Sequence, residues 1–234
     1  TQGSSLKMFH GIGQKIANGG KQGFVVADSW NYKRWVEQKP DFENEGHVIL
    51  KEWEITSQRN RPLNHEWIQK QCDRLDAPDL FNAVISDRRL LMGKRSTYVQ
   101  DYTRRFSDRE LYSILGSGIE AIEDMFDKVS PKVVMGFICV TFLDYLGYVV
   151  ARSRGIPYLN IRTSRIGNQI FAASTLTDPS PEFQKAFDSI NKNRSPLIQD
   201  AKDYISQIRH GESKYEGVIS PSRKPAKNIF QKKS

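Results

Sequence analysis

Cysteine is almost absent: Cys72 and Cys139 are the only two in 234 residues, one in a polar helix-like stretch and one in an apolar run. Neither a disulfide framework nor a thiolate metal site follows from that pair, and buried, unreactive thiols are the simpler account. The four histidines, His10, His47, His65 and His210, are isolated from one another. No spacing among them matches a zinc site, so no resident metal or cofactor is expected in this chain. Gly11 and Gly13 fall inside a helical pattern, and Ile16 stands where a dinucleotide fingerprint needs its third glycine. A Walker loop and a Gly-x-Ser-x-Gly elbow are also missing. These absences weigh against an NAD oxidoreductase, a P-loop kinase and a serine hydrolase.

Long hydrophobic runs are scarce. The longest, Val133 to Val150, contains Asp144, Gly136 and Gly147 and is interrupted by Thr141, so a buried strand followed by a buried helix explains it better than a membrane span. The opening Thr1-Gln2-Gly3-Ser4-Ser5 has no charged, apolar and cleavage regions of a signal peptide, and a cytoplasmic location is expected.

With 38% hydrophobic and 26% charged residues the chain can bury a real core. Its net charge of +8 is uneven, because Ile190 to Ser234 holds ten Lys/Arg against four Asp/Glu. Such a tail suits water, an anionic membrane surface or nucleic acid. Nucleic acid is disfavoured, since only Phe230 interleaves with the tail's cations and no recognition motif is present.

The clearest local signals lie between Ser107 and Asn168. Ser107-Asp108-Arg109-Glu110 matches a capping box, and Leu111, Ile114, Leu115, Ile119, Ile122 and Phe126 then repeat with helical period. Val133 to Val140 predicts a central parallel strand covered on both faces, and Ile156 to Ile161 the strand that returns beside it after a helix capped by Thr141 and Asp144. Upstream, a Gly-Ser-Ser loop leads into a helix with Leu6, Phe9, Gly13 and Ile16 on one face, and Gly23 to Ala27 and His47 to Leu50 predict two short buried strands. No strand precedes the opening loop, so a chain trimmed at its N-terminus, or excerpted from a longer one, is expected. Together these features predict an α/β protein, a Rossmann-like open and mainly parallel sheet flanked by helices over residues 1–215, followed by a basic linker or tail over 216–234.

In such a sheet, ligands bind outside the carboxyl ends of the strands. That rule points to the loops Gly3 to Lys7, Asp28 to Trp30, Thr141 to Asp144 and Arg162 to Asn168. The last offers two guanidiniums, two hydroxyls and two amides, which suit an anionic or polyhydroxylated ligand or simply water. Asp144 and Thr141 can serve chemistry or cap a helix, Ser4 and Ser5 can bind a phosphate or sugar or cap theirs, and His10 reads as a surface histidine or one facing the sheet edge.

The Gly-Ser-Ser loop and helix, Asp87-Arg88-Arg89, and the run from Val133 to Asn168 with Ile156-Pro157 and Arg162-Thr163-Ser164-Arg165-Ile166 occur in an order that resembles the N-terminal half of bacterial surface-carbohydrate glycosyltransferases of GT-B architecture. That group contains the capsule polysaccharide biosynthesis proteins, and the likeness runs from Gly3 to Tyr215. The resemblance implies an acceptor-binding domain that faces a second, donor-binding domain or partner chain across a cleft, with a sugar nucleotide as donor and a saccharide as acceptor. It implies a general base among Asp144, Asp28 and His10, and acceptor contacts from Ser4, Ser5, Lys7, Thr141, Arg162, Ser164, Arg165 and Asn168. This half alone is expected to be inactive, because the donor-phosphate loops have no counterpart here. The alternatives are a basic-tailed binding module for nucleic acid or anionic membrane, and a sugar-nucleotide epimerase.

Overall fold

The computed structural model describes residues 3–17, 20–62, 64–91, 104–164, 169–177, 180–190 and 197–211. Helix α1 (Gly3–Ile16) leads to β1 (Gly23–Val26), α2 (Ser29–Gln38), a 3-10 turn over Pro40–Asn44, β2 (Val48–Lys51) and α3 (Glu52–Ser57). A helical stretch follows, with α4 (His65–Arg74), α5 (Leu80–Ser86), α6 (Arg88–Leu91) and α7 (Asp108–Val129). The remaining elements are β3 (Val134–Phe137), α8 (Phe142–Ser153), β4 (Tyr158–Thr163), β5 (Ile170–Ala173), α9 (Pro181–Ser189) and α10 (Leu197–Arg209).

The protein is therefore mixed α/β, with two small sheets flanked by helices. β1 and β2 pair in parallel from Gly23 opposite Val48 to Val26 opposite Lys51. In the second sheet the order is β3-β4-β5, and β3 runs parallel to β4 from Val134 opposite Tyr158 to Phe137 opposite Ile161. The single open sheet expected from the sequence is thus in two pieces among the described residues. Side chains join the pieces where a hydrogen-bonded ladder does not: Phe24 and Val26 of β1 and Ile161 of β4 are buried with Leu6, Phe9 and Phe42, and Met135 and Phe137 of β3 pack against that cluster.

The chain divides into two compact units, Thr1–Arg162 with Ala172–Pro179 and Thr163–Phe171 with Ser180–Ser234. In the first, α7 is the central helix and packs on β1, β2, α3, α4, α5 and α8. It begins with the predicted capping box, in which Glu110 N–H donates to Ser107 Oγ and Ser107 N–H donates to Glu110 Oε2, and it ends with Ser130 in the left-handed region. Its stripe of Leu111, Ile114, Leu115, Ile119, Ile122 and Phe126 is buried. Each such side chain is worth roughly 1.5–3 kcal/mol relative to exposure, so this stripe alone makes α7 the main support of the core. In the second unit no residue of α9 is buried, and Ile205 and Ile208 of α10 are also exposed.

Two apolar expectations need correction. Ile16, expected on the buried face of α1, is exposed at the helix's last residue, whereas Leu6 and Phe9 are buried. The strand expected to run on to Val140 stops at Phe137, because Ile138 and Cys139 both take left-handed backbone (φ 63° and 41°) and turn the chain away. Ile138 and Val140 are consequently exposed. β5, which follows Arg162, adds a strand that the apolar pattern of the sequence does not mark. No helix among the described residues is long and apolar enough to cross a membrane.

Candidate functional site

Parallel pairing brings the carboxyl ends of β1 and β2 side by side, and an acidic residue follows each within two positions. Asp28, two residues past β1, caps α2: its Oδ1 accepts from the amides of Trp30 at 2.9 Å and Asn31 at 3.1 Å. Glu52, the first residue past β2, is buried. A carboxylate so placed requires a cation, and Arg89 supplies it. Its Nη2 donates to Glu52 Oε2 at 2.8 Å and to Asp87 Oδ2 at 3.2 Å, and its Nη1 reaches the carbonyl of Ala27 at the end of β1 at 3.5 Å.

Asp87 is equally constrained. It lies between α5 and α6, is 4% exposed, and divides its two oxygens between two helix starts. Oδ1 accepts from the Arg89 amide at 3.0 Å, and Oδ2 accepts from the Phe142 amide at 3.0 Å, the first residue of α8. One carboxylate therefore caps α6 and α8 and pairs with the guanidinium between them. Thr141 completes the start of α8 by accepting from the Asp144 amide at 3.1 Å.

The electrostatics follow from that crowding. Burial pushes the Glu52 carboxyl up to about 7; Arg89 opposes the rise, while the negative charges of Asp87 and Asp144 add to it. Asp144 reaches the other side as well. There the Cys139 thiol is pushed up to about 12, chiefly by burial and then by Asp144, and the Tyr158 hydroxyl is raised further by burial, Cys139 and Asp144. Gly136 makes room for Tyr158, since a Cβ at that position would lie 2.0 Å from the hydroxyl oxygen. That hydroxyl is buried beside the Cys139 thiol. Asn160, also fully buried, donates to the Thr175 carbonyl at 3.5 Å, as does Arg162.

The residues singled out from the sequence separate into groups. Asp28, Thr141 and Asp144 lie at the carboxyl ends of the strands, as expected, and Asp28 and Thr141 each cap a helix. Arg162 is at the end of β4. Ser4, Ser5 and Lys7 belong to the first turns of α1, with Lys7 exposed. Ser164 lies in the second unit, where its amide donates to the Gln169 carbonyl at 2.9 Å. Arg165, Asn168 and the basic stretch 216–234 lie outside the described residues.

His10 is not a surface histidine. It is 3% exposed, ringed by Phe24, Trp35 and Phe42, and bonded through Nε2 to Glu45 Oε2 at 2.8 Å. Glu45 and His47 precede β2, so His10 belongs to the amino ends of the strands and not to the group around Asp28 and Asp144.

Glu52, Asp87 and Arg89 were not singled out as a site from the sequence, although Asp87 and Arg89 belong to a stretch that carried the resemblance. A single signal was available for Glu52: an acidic residue directly after a buried strand. No protein-family description, no curated protein and no solved structure matches this chain.

Proposed function

We propose that this chain is the acceptor-binding half of a sugar-nucleotide-dependent glycosyltransferase of Rossmann-like, GT-B architecture that builds a cell-surface, capsule-type polysaccharide. The observation that carries the reading is the buried Glu52 carboxylate beside Arg89 at the carboxyl ends of two parallel strands, poised near neutrality. A carboxyl with that affinity for protons is free to accept one at neutral pH and is matched to general-base work. In this scheme Glu52 takes the proton of an acceptor hydroxyl as that oxygen attacks the anomeric carbon of the donor sugar. The bond from that carbon to the nucleotide's phosphate oxygen breaks, and the nucleotide leaves with the bonding electrons. Arg89 orients Glu52, while Asp28, Asp144 and Arg162 offer hydrogen bonds to other hydroxyls of a saccharide. The donor and the charges that stabilise its departure come from a second domain or a partner chain. The reading carries with it a cytoplasmic location, at the inner face of the membrane through the basic tail.

The test is a titration of isotope-labelled protein followed by NMR. Fragments of bacterial surface polysaccharides are expected to shift amides at Ala27–Asp28, Glu52–Trp53 and Thr141–Asp144, and sugar nucleotide alone is expected to shift none of them. Shifts produced by the sugar nucleotide without acceptor would sink the acceptor role and favour an epimerase. In the glycosyltransferase assembled with its donor domain, Glu52→Gln should lower kcat about 10²–10⁴-fold, the range for loss of a general base.

A further inference from the structure

The amino ends of β1 and β2 hold a second group of polar side chains, built from two separate segments, α1 and the connection that leads into β2. His10 projects from the middle of α1, Glu45 follows the 3-10 turn, and His47 precedes the first residue of β2. The Nε2 atoms of both histidines lie 2.8 Å from the same oxygen, Glu45 Oε2. One ligand atom from each of the three residues falls within 4.8 Å of the others. The imidazole side chains are only 3% and 5% exposed, so their positions are set by packing among Phe24, Trp35 and Phe42.

Two further observations bear on this cluster. His47 Nδ1 makes no hydrogen bond, and Nε2 is the ring nitrogen turned toward Glu45. Lys39 Nζ sits 2.7 Å from Glu45 Oε1 and 3.2 Å from His10 Nε2, which puts a positive charge where the three ligands converge. The Lys39 side chain is 29% exposed and ends a flexible stem, so it can move to water and leave its position to another cation.

We propose that His10, Glu45 and His47 bind a divalent transition metal of the zinc class, with Lys39 as the cation that it displaces. Two imidazole nitrogens and one carboxylate oxygen are a donor set that zinc accepts, with the fourth tetrahedral position left to water. Magnesium and calcium, which favour all-oxygen shells, are not matched by this set. The site is separate from the Glu52–Arg89 group and does not depend on the function proposed for it. By clamping α1 and the turn before β2, the metal stabilises the amino ends of the parallel pair.

Calorimetric titration of the whole chain with zinc sulfate tests this, with cobalt chloride as the spectroscopic probe. One equivalent of zinc is expected to bind, cobalt to develop the strong visible bands of a four-coordinate site, and the melting temperature to rise with zinc. His47→Ala and Glu45→Gln should each weaken zinc at least 100-fold. Lys39→Gln should tighten it about tenfold, an effect that an ordinary ion-pair cluster has no reason to show. Should the first two variants fail to fold, the ring nitrogens of the unaltered protein decide the matter: zinc must shift those of His10 and His47 and spare His65 and His210. No binding to either the unaltered protein or Lys39→Gln overturns the proposal. So does zinc affinity that His47→Ala leaves unchanged, or shifts confined to His65 and His210.

Discussion

Glu52 is held in the folded protein at a cost that depends on pH. Burial raises its carboxyl from an ordinary 4.5 to about 7, so the folded state binds the proton more tightly than the unfolded chain does. For a group raised in this way, the stabilising contribution is complete below the unfolded value and is lost as pH climbs through the folded one. Stability should therefore fall between pH 4.5 and pH 7 by on the order of 3 kcal/mol on account of this residue alone. Urea denaturation at a series of pH values will measure the slope, and Glu52→Gln, which cannot ionise, should flatten it. An equally steep descent in the variant would place the titrating group elsewhere. The same carboxyl would set the acidic limb of a rate profile in the proposed reaction, with activity rising as pH passes about 7.

Between α7 and α8 the packing is close enough for single atoms to matter. A Cβ added at Gly118 would come within 2.8 Å of the buried Phe142 ring, which has no route to solvent. Alanine normally gains about 1 kcal/mol over glycine inside a helix, but overpacking a core costs about 1–3 kcal/mol. Gly118→Ala is therefore expected to lower the midpoint of urea unfolding, and a higher midpoint would show that Phe142 yields. Leu115→Ala, at the middle of the α7 stripe, should cost about 2–5 kcal/mol by the same measurement. These elements were legible because their signals are local: a capping box spans four residues, and a helical stripe repeats within two turns. β3 was read as too long because Ile138 and Val140 continue its apolar composition, and composition says nothing of a left-handed turn at two side-chain-bearing residues. The site was legible only in its position. Asp28, Thr141 and Asp144 could be found from the rule about strand ends, but the Glu52–Arg89 pair joins positions 37 apart and His10–Glu45 positions 35 apart, and no periodicity announces contacts at such separations.

At the scale of the whole molecule, both apolar clusters among the described residues are drawn from residues 6 to 176, whereas no residue of α9 is buried. A chain ending at Pro179 should accordingly unfold in one cooperative transition with a midpoint close to that of the full protein. A collapse of cooperativity on truncation would mean that residues 180–234 contribute to the core. The arrangement also explains why α7 was the surest element while the sheet was not: a helix declares its buried face in its own residues, but a sheet is specified by strands that must find one another across the chain.

Asp87 joins these scales, since its two oxygens cap two helices and its charge meets the guanidinium that holds Glu52. Selection for heat resistance alone would work against this group. Uncharged, well-packed replacements for a buried ion pair are often neutral or stabilising. Hardened variants of this protein should therefore accumulate apolar residues at positions 52 and 89, with an uncharged capping residue such as asparagine at 87, since that carboxylate would otherwise stay buried without a cation. The loss of those two charges in a laboratory lineage, with the fold intact, would separate what the molecule needs to stand from what it needs to act.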